Sequence, residues 1–135
     1  MSKELILKKL EEQGFSIMVL DEYGYAFKYE ELTLIYIPDD DERFLRFGVP
    51  NIFDVTTGNR PFVLEVINDT NKTIKYGKTC LYGEKVWVFY EYRLFGEDHI
   101  DDIIKHCFMV LLATIEVFHR KIEEDKELTQ EDEVR

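Results

Sequence analysis

The sequence predicts an α+β fold: an antiparallel sheet of about six strands with helices on one face, in the order α-β-β-β-β-α-β-β-α. Three observations predict it. Short runs of alternating β-branched and aromatic residues sit between compact turn signals, four of them within about 35 residues and two more near residue 80. Two shorter segments, at the start of the chain and after Asn59, place their apolar residues at helical spacing. The stretch from His99 to Ile122 carries a long stripe, made of Ile100, Ile103, Ile104, Cys107, Phe108, Leu111, Ile115, Phe118 and Ile122. Between Cys107 and Phe118 only Thr114 and Glu116 are not apolar, so this helix needs cover on more than one side. The sheet is one cover; a neighbouring helix or a second copy of the chain is the other.

Taken in order, Ser2 caps a first helix that runs to about Gln13, with Ile6, Leu7 and Leu10 on its apolar face and Gly14 as its C′ stop. Phe15 to Leu20 reads as a strand, and DEYG at 21–24 as a turn in which Gly24 takes φ > 0. Tyr25 to Tyr29 is the second strand, Glu30-Glu31 a tight turn, and Leu32 to Ile37 the third strand. Pro38 and three Asp end it. Phe44 to Val49 is the fourth, closed by Pro50, and Asn51 to Gly58 is irregular. Asn59 or Thr57 caps a helix of about 14 residues with Pro61 in its first turn; Phe62, Val63, Val66, Ile67 and Ile74 lie along one side. Ile74 to Tyr82 and Val86 to Leu94 form a hairpin around YGEK, with Gly83 in the left-handed region. In the last strand Val86, Val88, Tyr90, Tyr92 and Leu94 point one way; Trp87, Phe89, Glu91 and Arg93 point the other. Asp98 caps the long helix, Asp101 and Asp102 suit its N-terminal dipole, and Arg120 and Lys121 its C-terminal end.

A chain of 135 residues suits one domain, and it buries enough surface to need no disulfide or metal. We read residues 1–122 as that domain and 123–135 as a frayed acidic tail, with seven acids and two bases. Net charge is −11, which argues against nucleic acid and against an anionic membrane surface. The first 13 residues are charged and periodic, unlike a signal peptide, and the longest apolar run is too short for a membrane span. Cys80 and Cys107 therefore read as free thiols in a reducing cytoplasm.

Two stretches carry a family resemblance. VINDTNKTIKYGKTCLYGEKVWVFYEYRLFGEDHIDDII follows a pattern of a helix ending in N-x-x-N, a strand with a leading lysine, a hairpin and a long C-terminal helix. Asn68 and Asn71 fit the Asn pair, and Lys78 fits the lysine. EEQGFSIMVLDEYGYAFKYEELTLIYIPDDDERFLRF is similar by pattern more than by fixed residues. On these the chain resembles the YbjN-like family, candidate bacterial sensory transduction regulators with the fold of type III secretion chaperones. The resemblance covers roughly residues 3 to 122. It implies a secretion-chaperone-like, non-catalytic fold, often dimeric, whose chaperone relatives bind extended client segments, and it implies no catalytic residue.

The candidate sites divide by chemistry. Asn68 and Asn71 share a helix face and either bind a peptide backbone through their amides or hydrogen-bond the following strand; the second is preferred, because helix ends leave groups that need partners. Trp87, Phe89, Tyr90 and Tyr92 form an aromatic ribbon; a solvated Trp87/Phe89 face would mark an interaction site. Asp39, Asp40, Asp41 and Glu42 lack the spacing of a calcium loop. His99, His106 and Cys107 fall short of a zinc set, with Cys80 and His119 not obviously convergent on them. Gly77-Lys78-Thr79 lacks the upstream glycine and following helix of a phosphate loop. No G-x-S-x-G, H-E-x-x-H or C-x-x-C occurs. The expectation is a protein-binding domain without cofactor, metal or catalytic residue, acting as a homodimer or on a polypeptide partner. Two alternatives stand beside it. One is a small-molecule sensor with a Tyr-lined pocket under the last helix, Glu91 or Arg93 fixing the ligand. The other is an acidic immunity-type protein that masks a basic toxin.

Overall fold

The structure is a computed structural model, and it describes residues 2–20, 24–96 and 99–134, with side chains to residue 125 in the last helix. Its elements run α1 (Lys3–Glu12), β1 (Met18–Leu20), β2 (Gly24–Tyr29), β3 (Leu32–Tyr36), β4 (Phe44–Asp54), α2 (Arg60–Thr73), β5 (Gly77–Tyr82), β6 (Lys85–Arg93) and α3 (Ile100–Val134). The six strands form one antiparallel sheet in the order β1-β2-β3-β4-β6-β5. The expected α+β fold and element order are the ones observed.

α1 begins where the Ser2 hydroxyl accepts from the Leu5 N–H at 3.3 Å. It ends in a Schellman arrangement: Gly14 at φ +96° lets its own N–H reach the Glu11 carbonyl and the Phe15 N–H reach the Leu10 carbonyl. This ending shortens the first strand, expected from Phe15. Phe15 turns inward instead and packs against Phe27, Tyr29 and Phe108, so pairing starts at Met18. The β2–β3 turn is Glu30-Glu31, both with positive φ. Gly24 is required where it stands: at φ +113° an added Cβ would strike the Tyr36 carbonyl oxygen. The rest of that turn, residues 21–23, lies outside the described residues, as does Asp98, the expected cap of α3.

The fourth strand runs past Pro50, where the sequence reading ended it. The β4–β6 register shifts between Val49 and Phe53, with Asn51 at φ +51°. Proline has no N–H to lose at a bulge, and an Asn tolerates the left-handed region, so the strand resumes as far as Asp54. The Ile52 carbonyl accepts from His119 Nε2 of α3 at 2.8 Å. Asn59 occupies the N-cap position of α2, but its side chain does not cap. It accepts from the Thr56 N–H at 2.7 Å and donates to the Asp54 carbonyl at 3.3 Å, closing the connection from β4. β5 begins at Gly77 rather than Ile74, after a turn with Tyr76 at φ +69°.

All three helices lie over one face of the sheet. Along α3 every expected stripe residue except half-buried Ile115 is buried, against Phe27, Phe47, Val88 and Tyr90 of the sheet. Its second cover is α2: Phe118 and Ile122 join Val63, Val66 and Ile67 in a second cluster. Of the two covers considered for this helix, the neighbouring one within the chain is present. Gly77 lets β5 approach α3, because a Cβ there would sit 2.5 Å from Thr114 Oγ1. α3 continues to Val134, through the acidic stretch, so Arg120 and Lys121 fall mid-helix and not at its end.

Candidate functional site

Pleating sends alternate residues of each strand to opposite faces. Antiparallel register then fixes which residues meet. Ala26, Ile35, Gly48, Phe89 and Lys78 form one row across β2, β3, β4, β6 and β5, on the side away from the helices. Beside it Trp87 faces Cys80, Arg46 faces Glu91, and Phe44 faces Arg93. Among the described residues no helix covers this side. Phe89 is nonetheless only 5% exposed. Its ring lies over Gly48, where a Cβ would be 3.3 Å from the ring carbons. Cross-strand aromatic cover of a glycine is a recurrent way to stabilise a sheet surface.

Trp87 and Phe89 stack at 5.8 Å between centroids, and Tyr82 from β5 completes a three-ring ladder, 5.1 Å from Trp87 and 5.5 Å from Phe89. Trp87 is half-buried and Tyr82 is 51% exposed. Sequence reasoning missed Tyr82 as part of this surface. The signal was present: a two-residue turn at Gly83-Glu84 pairs Tyr82 with Lys85 and Cys80 with Trp87, putting all four on one face.

Tyr90 and Tyr92, grouped with Trp87 and Phe89 in the expected ribbon, face the helices. Tyr90 is 0% exposed, and its hydroxyl lies 2.9 Å from His106 Nδ1. Burial pushes its phenol well above the ordinary range. Tyr92 is half-buried and stacks parallel to Tyr90 at 6.3 Å, near Tyr76. The two tyrosines are thus not brought together with Trp87 and Phe89, because they stand on opposite sides of one strand.

Asn71 does bond to the strand that follows. Its Oδ1 accepts from the Thr79 N–H at 2.8 Å and its Nδ2 donates to the Thr79 carbonyl at 3.0 Å. The amide plays the part of a neighbouring strand and occupies a rung of the β5 edge, which blunts that edge against pairing with another chain. Asn68 is exposed, one turn earlier on α2.

The acidic turn is a local device. Asp41 holds Arg43 through three side-chain contacts of 2.6 to 3.1 Å, and this bonding drops its carboxyl to about 2. Among the described residues no three His, Cys, Asp or Glu converge to hold a metal ion. Cys107 is buried and Cys80 half-buried, and burial raises both thiols, Cys107 the more. The space between α3 and the sheet, where the sensor alternative puts its ligand, is filled by Tyr90, Phe47, Phe108 and Leu111. No described helix is long and apolar enough to cross a membrane.

No family model and no curated protein matches the chain. Among solved structures it is similar to the crystal structure of YbjN from E. coli, a candidate transcription regulator, with a TM-score of 0.66 over 93% of this chain and 94% of that one. At 10% identity that likeness establishes a YbjN-like fold.

Proposed function

We propose that the chain is a non-catalytic polypeptide-binding domain of chaperone-like or regulatory type, and that its helix-free sheet face is the working surface. One observation carries this reading: the Tyr82–Trp87–Phe89 ladder stands on a face that no described helix covers. An aromatic cluster with a polar rim is the composition of interaction hot spots. The YbjN-like fold adds support, since the neighbour is named as a candidate regulator and not as an enzyme. The partner is a separate polypeptide or a second copy of the chain, met in the cytoplasm.

Photo-crosslinking from inside the cell tests it. Tyr82→benzoylphenylalanine places a reactive ring at the ladder, and Leu64→benzoylphenylalanine places one on the exposed side of α2. The expected result is a discrete protein adduct from position 82 that position 64 does not give. An adduct at twice the 16.1 kDa of the chain identifies a second copy as the partner. Equal adducts from both positions, or none, overturn the reading.

A further inference from the structure

The helix-free face differs from the rest of the molecule in charge as well as in cover. Lys28, Arg46, Lys78, Lys85 and Arg93 project from its strands, against two strand carboxylates, Glu91 and Asp54, and Glu84 of the β5–β6 turn, which lines the same shallow concavity as Tyr82, Lys85 and Trp87. Five cations to three anions leaves this side positive on a chain whose net charge is −11. The two strand carboxylates are already engaged: Glu91 by Lys78, and Asp54 by Lys85 at 2.6 Å. Arg46 stands directly opposite Glu91, yet its Nε is buried with no hydrogen-bond partner. A buried guanidinium donor left unpaired is costly, and a carboxylate is the group whose geometry it matches.

We infer that the Tyr82–Trp87 ladder and Arg46 together receive an acidic segment of a partner protein, apolar residues on the rings and a carboxylate on the guanidinium. The inference rests on the polypeptide-binding reading above and names the partner's chemistry. Charge argues against the other occupants. A second copy using the same face would set five cations against five. A nucleic acid brings a dense line of phosphates to a strongly acidic chain, and the Phe89 ring is already covered by its neighbours. An acidic peptide carries fewer charges. At about 0.1 M salt the Debye length is about 10 Å, so acids on the helix side are largely screened from this face.

Trp87 is the chain's single tryptophan, so its emission reports on this face alone. The probes are a 16-residue peptide repeating Glu-Leu-Glu-Glu, its Lys-Leu-Lys-Lys counterpart, and single-stranded oligothymidine, each titrated into the whole chain at 0.1 M salt. The acidic peptide is expected to give a saturable change in Trp87 emission. Arg46→Gln should weaken its apparent affinity about tenfold. Arg46→Lys, which keeps the charge and loses the planar fork, serves the same purpose should Arg46→Gln lose the fold by circular dichroism. The inference is overturned if the basic peptide or the oligothymidine moves the emission more than the acidic peptide. It is also overturned if the folded Arg variants bind the acidic peptide as well as the parent does. Crosslinking from position 82 separates the two failures: a specific adduct with no acidic-peptide response leaves polypeptide binding standing and removes only the acidic assignment.

Discussion

On the helix side of the sheet Phe47 and Tyr90 are 0% exposed beneath α3; on the other side Phe89 is 5% exposed with no described helix over it. The same residue types reach similar burial by different routes. Under α3 the rings interlock with a second layer, as in Phe47 and Phe27 each edge-on or tilted against Phe108. Outside, the rings lie along the sheet and cover one another, helped by Gly48 beneath Phe89. One face is a core, closed on both sides. The other is a single layer of rings over which no described helix lies. Aromatic content in a strand therefore does not by itself distinguish a helix-covered face from an open one; the number of layers does.

Truncation on each face sharpens that contrast most. Phe47→Ala empties a fully buried site among Phe27, Tyr36 and Phe108 and should cost about 3–5 kcal/mol. Against a total stability of about 5–15 kcal/mol, much of the chain could unfold. Trp87→Ala loses two stacking contacts from a half-buried site and should cost about 1–2 kcal/mol. Urea unfolding of the two variants checks it. Equal losses would mean that the outer rings carry as much of the fold as the inner ones, and the distinction between the faces would fail.

Next in size is Gly77→Ala. The new methyl would meet Thr114 Oγ1 at 2.5 Å and Val110 Cγ1 at 3.1 Å, wedging β5 from α3. Thr114 is buried with its hydroxyl bonded to the Val110 carbonyl at 2.7 Å, so it has little room to yield. Overpacking of this kind costs about 1–3 kcal/mol. Gly77→Ala combined with Thr114→Ala should recover part of the loss, and thermal melts of the single and double variants measure it. Gly48→Ala is the matching change on the outer face, where the new methyl would meet the Phe89 ring at 3.3 Å rather than a hydroxyl at 2.5 Å; its cost should be the smaller of the two.

The element order was legible because alternation and helical spacing are local signals, and turn residues such as Gly14, Gly83 and Pro61 marked the breaks. The length of β4 was not, since Pro50 reads as a stop unless the bulge at Asn51 is known. The surface was half legible. Alternation separated Trp87 and Phe89 from Tyr90 and Tyr92, and the hairpin register could have added Tyr82 and Lys78. Arg46 was out of reach. It meets Glu91 only because β4 pairs with β6, an adjacency made across α2 that no periodicity encodes. The excess of cations on this face was hidden for the same reason, inside a whole-chain charge of −11.

The smallest effect concerns the two cysteines, one on each side of the sheet. Cys80 faces Trp87 on the outer side and is half-buried; Cys107 lies in α3 at 0% exposure. Burial raises both thiols, more for Cys107, and it holds the Tyr36 phenol at about 12. A group whose folded pKa is raised contributes stability that is complete below its unfolded pKa and is lost as pH rises through the folded value. With unfolded values near 8.5 for a thiol and 10 for a phenol, stability should fall from about pH 9 upward. Cys107→Ala should flatten the first part of that decline more than Cys80→Ala does, since the more deeply buried thiol has the larger shift. Thiol labelling reads the same contrast at neutral pH: one equivalent, Cys80, should react in the folded chain, and the second only in denaturant. If Cys107 labels as fast as Cys80 without unfolding, α3 opens from the sheet far more readily than its packing implies, and the helix-covered side would have to be counted as an accessible surface too.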